Sequence, residues 1–462
     1  MISRNTIDQV YETARVEEVI GDFVVLKKSG SNFKGLSPFS QERTPSFMVS
    51  PVKQIWKDFS SGKGGNVIAF LMEHEHFTYP EAIRFLAKRY NIEIEETEQS
   101  DEEKEKANAR ESLYLVNQFA QDSFAQDLWE SSEGMAIGLS YFRERGFTDE
   151  SIRFFSLGYA AEQRDHFYQK ATKAGYAENF LEETGLVIKN ERGAVDRFRG
   201  RVIFPIRSMA GRVQGFGGRI LSATAKTAKY LNSPESDIYH KSKVLYGMFE
   251  AKKAIAKEDV CYLVEGYTDV IQMYQQGVEN VVSSSGTALT SEQIRLIRRL
   301  TSNIVVLFDG DAAGLRAAIR GIDLILEQGM NVKICTFPVG EDPDSFAKSH
   351  TLEEITAYLK TEAKDFIQFK TDLLLHEADN DPVKKSNTVR EIVQSIAKIP
   401  DPIKQEIYIK QCANTMDVSE AVLFNALAQE QSKKKVPIRK INQPVSKGDT
   451  IVQKIPSKES GV

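Results

Sequence analysis

Glu265 closes the apolar run VCYLVE and is followed by Gly266, Tyr267, Thr268 and Asp269. Asp309 and Asp311 follow NIVVLF in Asp-Gly-Asp-Ala-Ala-Gly, and Asp342 and Asp344 follow VKICTFP in Glu-Asp-Pro-Asp-Ser. Carboxylates packed together repel, so such a group calls for a cation. The i, i+2 spacing of Asp309 and Asp311 lets both side chains point one way from an extended backbone, while Gly310 and Gly314 permit a tight turn into the next helix. Mg²⁺, with Mn²⁺ as an alternative, suits this set because it takes hard oxygen ligands and leaves coordination positions for substrate phosphates. A lone Asp-x-Asp is ordinarily a loop cap, but here three acidic strand ends recur within one stretch of chain.

The elements that must gather these acids are legible as an alternation. Over residues 259–345 the strands VCYLVE, NVVSSSG, NIVVLFD and VKICTFP are separated by helical patterns such as AAGLRAAIRGIDLILEQG, which stops at Gly329. That order predicts an α/β unit with a mainly parallel sheet and flanking helices. All carboxyl ends of a parallel sheet lie on one edge, where ligands bind. Glu265, Asp269, Asp309, Asp311, Asp342 and Asp344 are therefore expected to converge although they are far apart in sequence.

The rest of the chain divides by pattern, giving an overall α+β protein. Residues 1–95 read as a small ribbon-like sheet followed by helices, 96–110 as a charged linker or solvated helix, and 111–258 as mixed helix and strand. Residues 346–430 are helical in period, and 431–462 form a basic tail without periodicity. The 462 residues include three cysteines, Cys261, Cys335 and Cys412, with no Cys-x-x-Cys pair, which argues against a disulfide framework and fits a reducing cytoplasm. No apolar run approaches the ~18 residues of a membrane span. The net charge of −5 gives no global sign of nucleic-acid binding, so that function has to rest on local cationic clusters.

Such clusters precede the acids. If Arg197 to Arg207 is one strand, Arg197, Arg199 and Arg201 share one face and Phe198, Val202, Phe204 and Ile206 the other. A glycine-rich segment ending in Gly217-Gly218-Arg219 follows, then Lys229, Tyr230, Asn232 and Lys241, which mix cations, a ring that can stack on a base and an amide.

Glu-Gly-Tyr-x-Asp, Asp-Gly-Asp-x-Ala-Gly and Asp-Pro-Asp together resemble the Toprim domain of primases, topoisomerases and some nucleases. With the basic segments in their order, residues 1 to about 430 resemble the DnaG-type bacterial DNA primases. The resemblance implies a DNA-directed RNA polymerase, a nucleotidyltransferase that makes short RNA primers on single-stranded DNA from ribonucleoside triphosphates at replication forks. It implies Glu265, Asp309 and Asp311 as catalytic acids holding Mg²⁺, with Asp269, Asp342 and Asp344 completing the patch. Whether Glu265 also acts as a general base stays open. Arg197, Arg199, Arg201, Arg219, Lys229, Tyr230, Asn232 and Lys241 would meet template or nucleotide. The implied partner is a DnaB-type replicative helicase, and the expected state is a cytoplasmic monomer. The alternatives are another Toprim enzyme or a catalytically silent single-strand-binding or scaffold module, and the intact acids weigh against the latter.

The chain departs from the family in two places. Where the family's zinc ribbon carries Cys, His, Cys and Cys, this sequence has Ser37, Ser40, Asp58 and Ser61, so zinc is expected to be absent. Phe39, Phe47, Trp56, Phe59 and Phe70 are expected to supply a metal-free core, leaving Lys34, Arg43, Lys53, Lys57 and Lys63 to meet DNA. The family's helicase-binding domain is expected to be missing or truncated, since a linker-like tail follows the helices.

Overall fold

The computed structural model describes residues 2–75, 77–95, 101–221, 228–286, 288–308, 312–338, 340–376 and 381–434. Asp309, Gly310, Asp311, His76 and the basic tail from 435 onward lie outside the described residues. The chain forms two units, Met1–Ala109 and Arg110–Val462, with the boundary inside the helix Asp101–Glu130.

In the first unit, short alternating runs become an antiparallel sheet. Its strands lie in chain order, Lys27–Ser29, Asn32–Gly35, Phe47–Ser50, Ile55–Asp58 and Gly64–Gly65. Alternation decides what is buried: Trp56 and Asp58 point inward from the fourth strand while Ile55 and Lys57 face out. Helices Val67–His74 and Tyr79–Arg89 close the core. The first is capped by Asn66, whose side chain accepts the Ala69 N–H at 2.8 Å.

Phe39 and Phe47 stack on Trp56 at 5.3 and 5.5 Å, and Phe70 meets it edge-on at 5.7 Å. The indole N–H of Trp56 donates to the Asn66 carbonyl at 2.9 Å, so the buried ring leaves no unmet donor. Phe59, expected in this core, is instead 69% exposed. It follows inward-pointing Asp58 by one residue and so takes the outer face.

The second unit contains the expected parallel sheet. Its order is Val281–Ser283, Cys261–Val264, Asn303–Phe308 and Asn331–Thr336, all parallel, with Lys364–Asp365 added antiparallel at the edge. The Asn303–Phe308 strand shows why its sequence is apolar without alternation. Ile304, Val306 and Phe308 pack into one core while Val305 and Leu307 pack into the other, so both faces are covered.

A second, antiparallel sheet has the order Tyr230–Asn232, Val213–Ile220, Arg201–Arg207 and Gly158–Ala160. Here the arginine stripe fails. Gly200 has φ of +65° and residues 197–200 form a turn, so the strand starts only at Arg201 and the two-residue period cannot extend back to Arg197. Arg199 is exposed and Arg197 half-buried, whereas Arg201 is buried, donating to the carbonyls of Gly218 and Ala228 at 3.2 Å and of Lys229 at 3.3 Å. Arg201 therefore fastens its own sheet rather than facing a ligand.

Four helices, Phe366–His376, Pro382–Ile396, Pro402–Met416 and Glu420–Lys434, complete the described chain, the last running four residues past residue 430, where helical period is expected to end. Buried Lys370 reaches Asp323 at 3.1 Å and the Ser395 hydroxyl, tying these helices to the helix Ala312–Glu327 that follows the sheet. Replacing Trp56 with alanine removes the ring that three aromatic neighbours enclose, so the first unit should lose about 3 to 5 kcal/mol of stability, measurable by denaturant unfolding followed by circular dichroism.

Candidate functional site

The sheet delivers its acids to the carboxyl edge in different roles. Glu265 follows the last residue of the Cys261–Val264 strand and is exposed. It lines a cavity of about 530 Å³ together with Ser284, Gly286, Arg320 and Phe308, the residue immediately before Asp309. Asp269 is buried one turn into the helix Tyr267–Gln275, and its Oδ2 accepts the Gly266 N–H at 2.8 Å. That bond fixes the turn that presents Glu265.

Asp342 and Asp344 line a separate cleft of about 400 Å³. Asp342 caps the helix Pro343–Ser349, accepting the Ser345 N–H at 2.7 Å and its hydroxyl at 2.6 Å. Asp344 is buried, and Arg145 donates to its Oδ2 at 2.5 Å, while among the described residues its Oδ1 has no partner. Burial raises the Asp344 pKa and nearby Asp342 adds to the effect, against the pull of Arg145. Among the described residues no three acids, histidines or cysteines form a metal-binding group, and Asp309 and Asp311 fall outside that set.

Cations face the acids of this cleft. Arg219 lies over the rings of Tyr141 and Tyr230, at 5.1 and 5.5 Å, and donates to the Tyr230 hydroxyl at 3.2 Å. Lys348 lines the same cleft. Lys229 is exposed just before the Tyr230–Asn232 strand, and Lys241 opens a short helical turn, its N–H donating to Glu235 at 3.0 Å. Burial pushes the Tyr141 hydroxyl up to about 12, against the opposing effect of Arg145 and Arg219. Sequence reasoning missed Tyr141, Arg145 and Lys348. Arg145 sits in Arg-Glu-Arg, which reads as a solvated face, and only its buried partner Asp344 distinguishes it.

The four ribbon positions also come together, around a carboxylate. Asp58 is fully buried, and its oxygens accept from the hydroxyls of Ser37 at 2.8 Å, Ser60 at 3.0 Å, Ser46 at 3.3 Å and Ser61. The Ser61 N–H adds a further bond at 3.2 Å, and the Ser40 hydroxyl pairs with Ser60 at 2.6 Å.

A parallel sheet with carboxylates beyond its strand ends and a cleft where acids meet arginines is an architecture suited to chemistry on phosphate groups. Family models match in chain order: "CHC2 zinc finger" over residues 2–102, "DNA primase catalytic core, N-terminal domain" over 124–252, "Toprim-like" over 262–347 and "DnaB-helicase binding domain of primase" over 367–421. The DNA primase of Halalkalibacterium halodurans is 38% identical over 453 residues, covering 97% of this chain and 74% of that relative. The Aquifex aeolicus primase structure, comprising zinc-binding and RNA polymerase domains, is similar with a TM-score of 0.61 and 31% identity over 91% of this chain and 99% of that one. A DnaG primase catalytic domain bound to ssDNA is similar with a TM-score of 0.60 and 31% identity over 67% and 99% of the two chains. The chain belongs to the DnaG-type bacterial DNA primases.

The helicase-binding match corrects the expectation that this domain is missing or truncated. It falls on the helices from Phe366 onward, within the 346–430 stretch that helical period marks only as helical, because periodicity reports burial and not partners. No helix among the described residues is long and apolar enough to cross a membrane.

Arg145 and Asp344 form a largely buried ion pair, so removing one partner strands the other's charge. Arg145→Met should lower stability by up to about 3 kcal/mol in denaturant unfolding, and pairing it with Asp344→Leu should recover most of that loss.

Proposed function

We propose that Glu265, Asp309 and Asp311 hold the Mg²⁺ with which this chain makes short RNA primers on single-stranded DNA. The activity is that of a DNA primase, a nucleotidyltransferase, and the observation that carries it is the Toprim-like sheet lying directly after a primase catalytic-core segment in one chain. A Toprim-like fold implies Mg²⁺-dependent chemistry in general, and the donor set fits, being hard carboxylate oxygens without competing thiolate or imidazole. Mg²⁺ bound there would activate a 3′-hydroxyl for attack on the α-phosphate and neutralise charge on the departing pyrophosphate.

The protein's own groups do the remaining work. Arg219, Lys229 and Lys241, with Lys348, offer positive charge to a triphosphate or template backbone, and Tyr230, 37% exposed, offers a face to a base. Arg197, whose Nε is buried without a partner among the described residues, and exposed Arg199 are further phosphate contacts. Asp342 and Asp344 act by holding the helix start and Arg145 in place. The C-terminal helices would dock a DnaB-type helicase. Asp309→Ala or Asp311→Ala should abolish ribonucleotide incorporation on single-stranded DNA with Mg²⁺ while leaving DNA binding within about twofold, because cations supply most of the affinity. Near-normal synthesis by either variant would remove these acids from the reaction.

The first unit is read as a ribbon that folds without zinc. Serine hydroxyls are poor zinc ligands, and those at the ribbon positions are already spent, Ser37 and Ser61 on Asp58 and Ser40 on Ser60. Burial alone would raise the Asp58 pKa, but the hydroxyls of Ser61, Ser37 and Ser60 outweigh it and hold the carboxyl below its usual value. A depressed folded-state pKa stabilises the fold above the unfolded value of about 3.9, and that contribution is lost as pH falls through the folded value. With Trp129→Phe leaving Trp56 as the sole tryptophan, unfolding followed by its fluorescence should be indifferent to a strong chelator and should become easier below about pH 4. Stoichiometric zinc by elemental analysis, or chelator-induced unfolding, would refute the metal-free reading.

A further inference from the structure

Tyr267 stands two residues beyond Glu265, and its side chain is buried. Its ring stacks on Phe204 at 4.9 Å and meets Tyr246 edge-on at 4.8 Å, and it is only 2% exposed. A tyrosine in such surroundings spends a hydroxyl where phenylalanine would pack as well, and a buried hydroxyl has to find a partner. The partner is Asn232: the Tyr267 hydroxyl donates to Asn232 Oδ1 at 2.7 Å. Asn232 pairs across the ladder with Gly217, where a Cβ would overlap the Tyr267 ring and hydroxyl. Only glycine at 217 lets the phenol reach the amide.

Two bonds together settle which way the carboxamide faces: the Ser285 carbonyl can only accept, so Nδ2 points to it, and the Tyr267 hydroxyl then donates to Oδ1 and holds the other end. With Oδ1 engaged by a donor, Nδ2 lies on the other side and donates to the Ser285 carbonyl at 3.3 Å. Its second N–H has no partner among the described residues, and Asn232 is half-buried, so a donor is what this residue offers to a ligand. A flipped amide would set its oxygen against the Ser285 carbonyl oxygen and offer an acceptor instead, which an anionic triphosphate would repel.

We propose that Tyr267 is a positioning residue for nucleotide binding: through its hydroxyl it locks the Asn232 carboxamide so that an N–H faces the incoming ribonucleoside triphosphate, and it ties that donor to the turn carrying Glu265. This rests on the reading of Asn232 as a nucleotide contact. Because the lock orients a binding group, its loss raises KM, whereas a purely structural role for the hydroxyl would lower stability and kcat.

The test is a double-mutant cycle in the full chain, reading KM for ribonucleoside triphosphate and kcat during extension of an RNA primer, with thermal unfolding alongside. One neutral hydrogen bond is worth ~0.5–1.5 kcal/mol, so Tyr267→Phe should raise KM about 3- to 10-fold with kcat within about twofold. Asn232→Ala should raise KM at least as far, and adding Tyr267→Phe to it should change KM no further. If Asn232→Ala leaves KM unchanged, the nucleotide reading of Asn232 falls and the lock with it. If Asn232→Ala raises KM but Tyr267→Phe does not, or the two effects multiply, the lock alone is overturned. A Tyr267→Phe variant that melts earlier and loses kcat at unchanged KM also overturns it.

Discussion

Burial on both faces is the constraint on which the parallel sheet of the second unit depends. Its strands are apolar on both faces and cannot leave their register without exposing both cores, and that fixes the turns that follow them, Glu265 included. The Asn303–Phe308 strand carries this most clearly, being paired along its whole length to Asn331–Thr336 and over part of it to Cys261–Val264. The acids not proposed as catalytic are each engaged locally. Asp269 takes a backbone N–H, Asp342 a helix start and Asp344 an arginine. These bonds stiffen the turns beside the edge.

The cations follow a matching division. Arg201 is buried against carbonyls, and Arg207 is paired with Glu250 at 2.9 Å and bonded to Gln121 and Ser156. Those guanidiniums cross-link the antiparallel sheet to its neighbours, and burial lowers the Arg201 pKa. Arg219, by contrast, rests between two aromatic rings, which restrict its motion without neutralising it. An arginine held by rings keeps its charge for a ligand, and one held by carbonyls or a carboxylate does not.

This division was only partly legible in the sequence. The parallel sheet was, because strands covered on both faces must be continuously apolar, and so was the place of Glu265 just past its strand. The difference between Arg199 and Arg201 was not, since it turns on the positive φ of Gly200, which a two-residue period does not register. Arg145 was hidden for a related reason: a half-exposed cation in a charged helix looks solvated until its partner, distant in sequence, is seen to be buried. Phe59 was misplaced by one residue of strand phase. The helicase-binding match was invisible to periodicity, which describes how helices pack and not what they meet.

A first unit that folds without zinc, as proposed, needs other bonds to hold its ribbon. A structural zinc can contribute ~10 kcal/mol or more to folding through four bonds that need little cover from the surrounding protein. Hydrogen bonds to a charged group contribute ~1.5–3 kcal/mol each, and they do so only where water cannot compete. Asp58 therefore has to be buried, and the rings beside it become part of the substitution: Phe39, Phe47 and Trp56 cover the sheet that presents Asp58, and the indole closes its own hydrogen bond to Asn66. The two losses are coupled in sequence as well, because Trp56 and Asp58 share one strand face, so any shift of register that exposed the carboxylate would expose the indole too. A metal fixes a ribbon at one point, whereas here the strand phase itself carries the cross-link.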